Sequence, residues 1–192
     1  PSLRAAGFAD AAGRTFWRDR DDRVEMLHCT ADAEGLTLEL GIWFRFVPRP
    51  TRVPERNGLP RPPVALCDLR GNVRTWYDEL QAAGMTAERW FARWRPLSAV
   101  LRWLLVGKSS DMVFGPGAHG APEHTLLTGY VARELGEESV ARKRLARAAA
   151  HFRETLDVRE VGTIEAASEQ EAWVERLEAD ARQAAPRLAH AQ

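Results

Sequence analysis

The chain has no apolar run approaching the roughly 18 residues of a membrane span. No spanning helix is therefore expected, and no membrane partner. It also has no charged leader followed by an apolar stretch, so no secretory signal is expected and a cytoplasmic location is. Net charge is lacking as well: Lys+Arg and Asp+Glu both number 27. That balance argues against a nucleic-acid binder or a membrane-surface protein. Lysine is nearly absent, with only Lys108 and Lys143. The arginine bias runs along the whole chain, which fits a GC-rich bacterial coding sequence better than selection for bidentate contacts. Cysteine is limited to Cys29 and Cys67, both on expected strands. The two can face each other, but free buried thiols of a cytoplasmic protein are the plainer reading.

What is present describes a globular protein. At 192 residues, 45% hydrophobic and 28% charged, the chain is long enough for one domain with a sizeable core. Its clearest pattern is strict alternation. Leu36, Leu38, Leu40, Ile42, Phe44 and Phe46 occupy the even positions, with Thr37, Glu39, Gly41, Trp43 and Arg45 between them. Period two marks a strand with one buried face. Strands are also expected over 14–20 and 23–30, joined by short turns into an antiparallel meander, and over 64–70, ended by Gly71-Asn72. Residues 2–12 read as a short helix stopped by Gly13.

Between the third and fourth strands, residues 48–63 hold six of the eleven prolines, interleaved with Arg49, Arg52, Arg56 and Arg61. Proline removes ladder donors, so this is a loop. From Val73 the period becomes helical. A short helix is expected from Thr75 to about Gly84, and another capped by Thr86. Its stripe of Trp90, Trp94, Leu97, Leu101 and Leu105 is broken at Pro96, where two helices meet or one kinks. Residues 123–135 and 137–153 form a helical hairpin broken at Gly136. Residues 157–165 read as a short strand or loop. Ser168 to Glu171 is a capping box that opens a last helix bearing Trp173, Val174, Leu177 and Ala181. The fold expected is α+β: an antiparallel sheet of about four strands over 1–73, packed on one face by helices, then a helical region over 74–192.

Three pieces carry a resemblance: Arg14-Thr15-Phe16-Trp17-Arg18, the strand Leu36 to Phe44 centred on Leu40-Gly41-Ile42, and Cys67-Asp68-Leu69-Arg70-Gly71-Asn72-Val73. With them, Gly7 to Val73 resembles the bacterial domain of unknown function 4304 family. The resemblance implies an antiparallel sheet flanked by helices, with a helical tail. It carries no catalytic residues. Asp68 stands where such sequences often have histidine after the cysteine.

No catalytic set stands out. Val106-Gly107-Lys108-Ser109-Ser110 ends like a phosphate loop, but the glycine required five residues before the Gly-Lys pair is Arg102. His119, Glu123 and His124 lie close in sequence without a third ligand on a rigid frame. No metal or cofactor is expected. His28, Cys29, Cys67 and Asp68 converge only if the second and fourth strands are close. Trp43 sits opposite the leucines, beside Arg45. Either a helix covers it, or a Trp–Arg patch of interface type is exposed beside the basic loop. The reading that follows is a non-enzymatic protein-binding module, of immunity or adaptor type, using Trp43, Arg45, Arg49 and Arg52. The alternatives are a small hydrolase or transferase built on His28, Cys67 and Asp68, and a nucleic-acid binder using loop 48–63.

Overall fold

The computed structural model describes residues 6–33, 35–49, 55–56, 59–60, 63, 66–76, 79–106, 122–154 and 164–184. It has an α+β fold whose chain divides into two compact units. Unit 1 comprises residues 1–46, 52–96 and 108–116; unit 2 comprises 47–51, 97–107 and 117–192.

Unit 1 is built on five antiparallel strands, β1 (Ala9–Ala12), β2 (Thr15–Asp19), β3 (Arg23–Asp32), β4 (Gly35–Phe44) and β7 (Leu69–Thr75), in the order β1-β2-β3-β4-β7. Among the described residues, the intervening β5 (Glu55–Arg56) and β6 (Leu59–Pro60) pair with each other and with no other strand. The alternation in 36–46 fixes the registry as expected. Leu38, Leu40, Ile42 and Phe44 are all buried. On the same face, the register aligns Phe16, Leu27, Leu40 and Gly71 in one row and Arg18, Glu25, Ile42 and Leu69 in the next.

Helix α1 (Leu80–Arg93) covers this face with Ala83, Ala87, Trp90 and Phe91, while Trp94 at its C-cap is buried too. These positions recur at three and four residues, as one buried helix stripe requires. The approach is close: a Cβ on Gly71 would lie 2.6 Å from Trp90 Nε1. Unit 1 therefore extends beyond 73 to include α1.

Several local expectations are corrected. Residues 9–12 pair with β2 as a strand rather than closing a helix. The alanines favour helix, but the strand partner supplies hydrogen bonds that local propensity does not foresee. Gly71-Asn72 does not end β7; both pair in register with Leu40 and Glu39. Gly84 and Thr86 lie inside α1, and the Thr86 hydroxyl donates back to Ala82 O at 3.0 Å instead of capping.

Unit 2 is helical: α2 (Leu97–Val106), α3 (Pro122–Glu134), α4 (Glu138–Glu154) and α5 (Ile164–Gln183). Pro96 does separate two helices, α1 ending at Arg93 and α2 starting at Leu97. The break resets the stripe, so Leu101 and Leu104 are buried while Leu105 is exposed. Gly136, at φ +75°, ends the first arm of the α3–α4 hairpin as expected. Every residue of α3 from His124 to Ala132 is buried, which makes it the central helix of its unit. Helix α5 begins at Ile164, so Ser168 lies within it and does not start it. Trp173, Val174, Leu177 and Ala181 are all buried. Among the described residues, no helix is long and apolar enough to cross a membrane.

A part-buried polar link joins α3 to α5. Tyr130 donates to Asp180 Oδ2 at 2.5 Å, and Arg133 Nη1 lies 3.2 Å from Asp180 Oδ1. Burial, then the hydrogen bond and the charge of Asp180, hold the Tyr130 hydroxyl well above the ordinary phenol range. A group whose folded pKa is raised stabilises fully below its unfolded pKa and loses that contribution as pH climbs past it. This part of unit 2's stability is therefore constant below about pH 10 and declines above it. Tyr130→Phe is expected to remove that alkaline decline and to cost about 1.5–3 kcal/mol at neutral pH. Urea unfolding followed by circular dichroism at neutral and alkaline pH checks both.

Candidate interaction face of the sheet

The odd positions of β4 lie on the sheet face opposite α1, and that face is divided. At one end Trp17, Val24, Met26, Trp43 and Cys67 form a small buried cluster. The chain leading into β7 folds over this end, with Cys67 above Gly41: a Cβ on Gly41 would fall 2.5 Å from the Cys67 sulfur. Asp68 holds the crossing in place. Its Oδ2 accepts from Phe44 N at 2.8 Å, and its own N–H donates to Ile42 O at 2.8 Å.

Beyond the cluster the face is polar. The register aligns Thr15, His28, Glu39 and Asn72 in one row across four strands. The next row holds Thr30, Thr37 and Arg74. Thr15 Oγ1 and His28 Nδ1 share a hydrogen bond of 2.6 Å. Along β7 itself, Arg70, Asn72 and Arg74 are exposed on this face, and Trp76 continues the same alternation just past the strand. Trp76 is 60% exposed, a large value for so apolar a side chain. The ring approaches Gly35, whose Cβ position is 3.7 Å from Trp76 Cε3. Arg74 is 3.6 Å from Asp32, with both side chains more than half exposed, so this ion pair contributes little.

The residues singled out from sequence fall differently. Trp43 is buried at 6% exposure, within the cluster it forms with Trp17 and Cys67. An exposed Trp43–Arg45 patch is therefore not what this end of the sheet presents. Arg45 is partly buried, paired with Asp19 at 2.5 Å and donating to Arg20 O at 3.3 Å, which ties the end of β4 to the β2–β3 turn. Arg49 belongs to unit 2 and is partly buried. Arg52 lies outside the described residues, as do Arg61 and the side chain of Arg56.

The thiol and imidazole groups fall at different places on the sheet. Cys29 neighbours His28 in β3, so its side chain points to the opposite face. Burial pushes its thiol above the ordinary value, against a smaller lowering by Arg14. Cys67 packs over Gly41, which pairs with Met26. His28 is two residues further along β3, a step of roughly 6.6 Å, and its Nδ1 is engaged by Thr15 Oγ1. The two cysteines are not joined by a disulfide. In unit 2, His124 is buried with its ring 6.2 Å from that of Trp103, Glu123 is exposed, and His119 lies outside the described residues. Among the described residues no group of three His, Cys, Asp or Glu is placed to hold a metal ion.

The stripe Arg70, Asn72, Arg74 and Trp76 was missed because a glycine followed by asparagine reads as a strand end. The signal that finds it is the alternation of these residues with Leu69, Gly71, Val73 and Thr75. No family model, curated protein or solved structure matches this chain.

Proposed function

We propose that the protein is a non-enzymatic protein-binding module and that it contacts its partner through Arg70, Asn72, Arg74 and Trp76. The observation that carries this reading is the exposure of tryptophan and arginine together on a rigid strand. Those residue types dominate the binding energy of protein interfaces. The chain's zero net charge favours a protein partner over a polyanion. Against the hydrolase alternative, Asp68 is committed to the Phe44 backbone and the Cys67 thiol sits within an apolar cluster. The resemblance of Gly7 to Val73 to the bacterial domain of unknown function 4304 family accords with a binding role as much as any other. An immunity or adaptor role in a bacterial cytoplasm is the finer form of this proposal.

The test is a quantitative pull-down from the native host with wild type, Trp76→Ala, and Arg142→Ala on the exposed side of α4 as control. One stoichiometric partner is expected, its affinity lowered about tenfold or more by Trp76→Ala and unchanged by the control. Recovery of no stoichiometric partner, or of one indifferent to Trp76, overturns the proposal.

A further inference from the structure

The two edges of the five-stranded sheet differ in a way that points to how a partner is held. Strand β1 has only four residues, and its register with β2 shifts between Ala9 and Ala11. Short, bulged edges are poor templates for another strand. At the opposite edge β7 runs for seven residues in unbroken one-to-one register with β4. Among the described residues no strand pairs with its outer side. A regular edge of this length offers a row of main-chain donors and acceptors to an extended segment.

The side chains decide which segment fits. If a second copy of the chain paired antiparallel about Asn72, Arg70 of each copy would face Arg74 of the other. Like charges directly opposite each other destabilise a strand pair. The same two arginines favour a strand with carboxylates at the facing positions. Those positions are four residues apart, about 13 Å along the strand, and share one face. The intervening positions of the added strand would continue the other face, where Leu69, Gly71 and Val73 lie beneath or beside α1. Apolar residues suit them. A single-stranded nucleic acid fits less well, because Glu39 and Asp32 lie on the same face as the arginines.

We propose that β7 takes an extended acidic segment of a partner protein as a sixth strand, with carboxylates at positions i and i+4 opposite Arg70 and Arg74 and apolar residues alternating with them. This rests on the reading of this face as a protein contact and adds the partner's backbone form and charge pattern.

The probe is a fluorescein-labelled peptide, Val-Glu-Val-Thr-Val-Glu-Val, blocked at both ends, whose sequence reads the same in both directions and so suits parallel or antiparallel addition. Fluorescence anisotropy with the full chain is expected to show binding. The counterpart with lysine for both glutamates is expected to bind about tenfold more weakly, since two cross-strand charge pairs change sign. In the double variant Arg70→Glu/Arg74→Glu the preference reverses, and that reversal also shows that the variant is folded. N-methylation of the three central amides, which blocks main-chain pairing on both sides of the strand, abolishes binding. Equal binding of the two charge forms, unimpaired binding of the N-methylated peptide, or no binding of any peptide overturns strand addition. If the peptides fail while the native partner still depends on Trp76, strand addition alone falls. If a labelled oligouridylate binds instead and loses affinity in the arginine variant, the protein-binding reading falls with it.

Discussion

Replacing Arg18 with methionine is expected to destabilise unit 1 by about 3–5 kcal/mol, because it strands a carboxylate in the core. Glu25 has no solvent exposure, and Arg18 is 4% exposed. Arg18 Nε donates to Glu25 Oε2 at 2.5 Å, and Nη1 donates to Ala6 O and to Glu88 Oε1 at 2.7 Å. Nη2 reaches the second Glu88 oxygen at 3.2 Å. The guanidinium also lies 4.3 Å from the Phe8 ring centre. One side chain thus joins β2, β3, α1 and the segment before β1. Arg20 remains near Glu25 at 3.6 Å, but it is 44% exposed and cannot replace the lost hydrogen bonds. A loss of this size is a large part of a typical domain's 5–15 kcal/mol. Removing both charges, as in Arg18→Met/Glu25→Leu, is expected to recover most of it, since the cost lies in the unpaired ion rather than in the absence of the pair. Chemical denaturation of the single and double variants measures the difference. A single variant as stable as wild type would show that Glu25 finds water or another donor at little cost.

The second large effect is expected in unit 2. Gly129 sits where α3 meets α4: a Cβ there would lie 2.6 Å from Leu145 Cδ2 and 3.2 Å from the Leu145 backbone nitrogen. Leu145 itself is fully buried. Gly129→Val is expected to force the two helices apart and cost about 1–3 kcal/mol. Leu145→Ala, which opens a cavity, is expected to cost about 2–5 kcal/mol. The combination Gly129→Ala/Leu145→Ala is expected to cost less than the sum of its two single changes, because each relieves the defect left by the other. Thermal unfolding of Gly129→Ala, Leu145→Ala and the double variant decides the coupling, with Gly129→Val measured beside them. Strict additivity would mean that this crossing is looser than its geometry implies.

How much of this was legible in the sequence depended on whether the cause was local. Alternation in β4 announced both the strand and its buried face, because period two is a property of the strand alone. The α3–α4 hairpin was legible for the same reason: helical stripes stood on either side of a glycine that ends the first helix. Strand β1 was not, since Ala9–Ala12 becomes a strand only beside β2. Gly71 looked like punctuation, yet its lack of a side chain makes room for the Trp90 indole from a helix far along the chain. Trp43 illustrates the same limit. Its face opposite the leucines was correctly placed, but it is buried in a cluster with Trp17 and Cys67, neither of which a pattern within β4 reveals. The proposed interaction face moved accordingly, from Trp43 and Arg45 at one end of the sheet to Arg74 and Trp76 at its edge.

Arg23 has a bearing on how the end of α1 is held in unit 1. Its guanidinium donates to Trp94 O at 2.6 Å and to Arg95 O at 2.9 Å, and it is held in place by Asp22 at 2.5 Å. These carbonyls are at the C-terminal end of α1, where no further helical turn can satisfy them. The residue that satisfies them stands about seventy positions earlier, at the start of β3. The end of the helix is thus fastened by the sheet and not by its own sequence. A contact of such long range forms only after a large loop has closed. The Arg23 hold on the end of α1 is therefore made only once β3 and the helix have come together, and it is lost when β3 comes away.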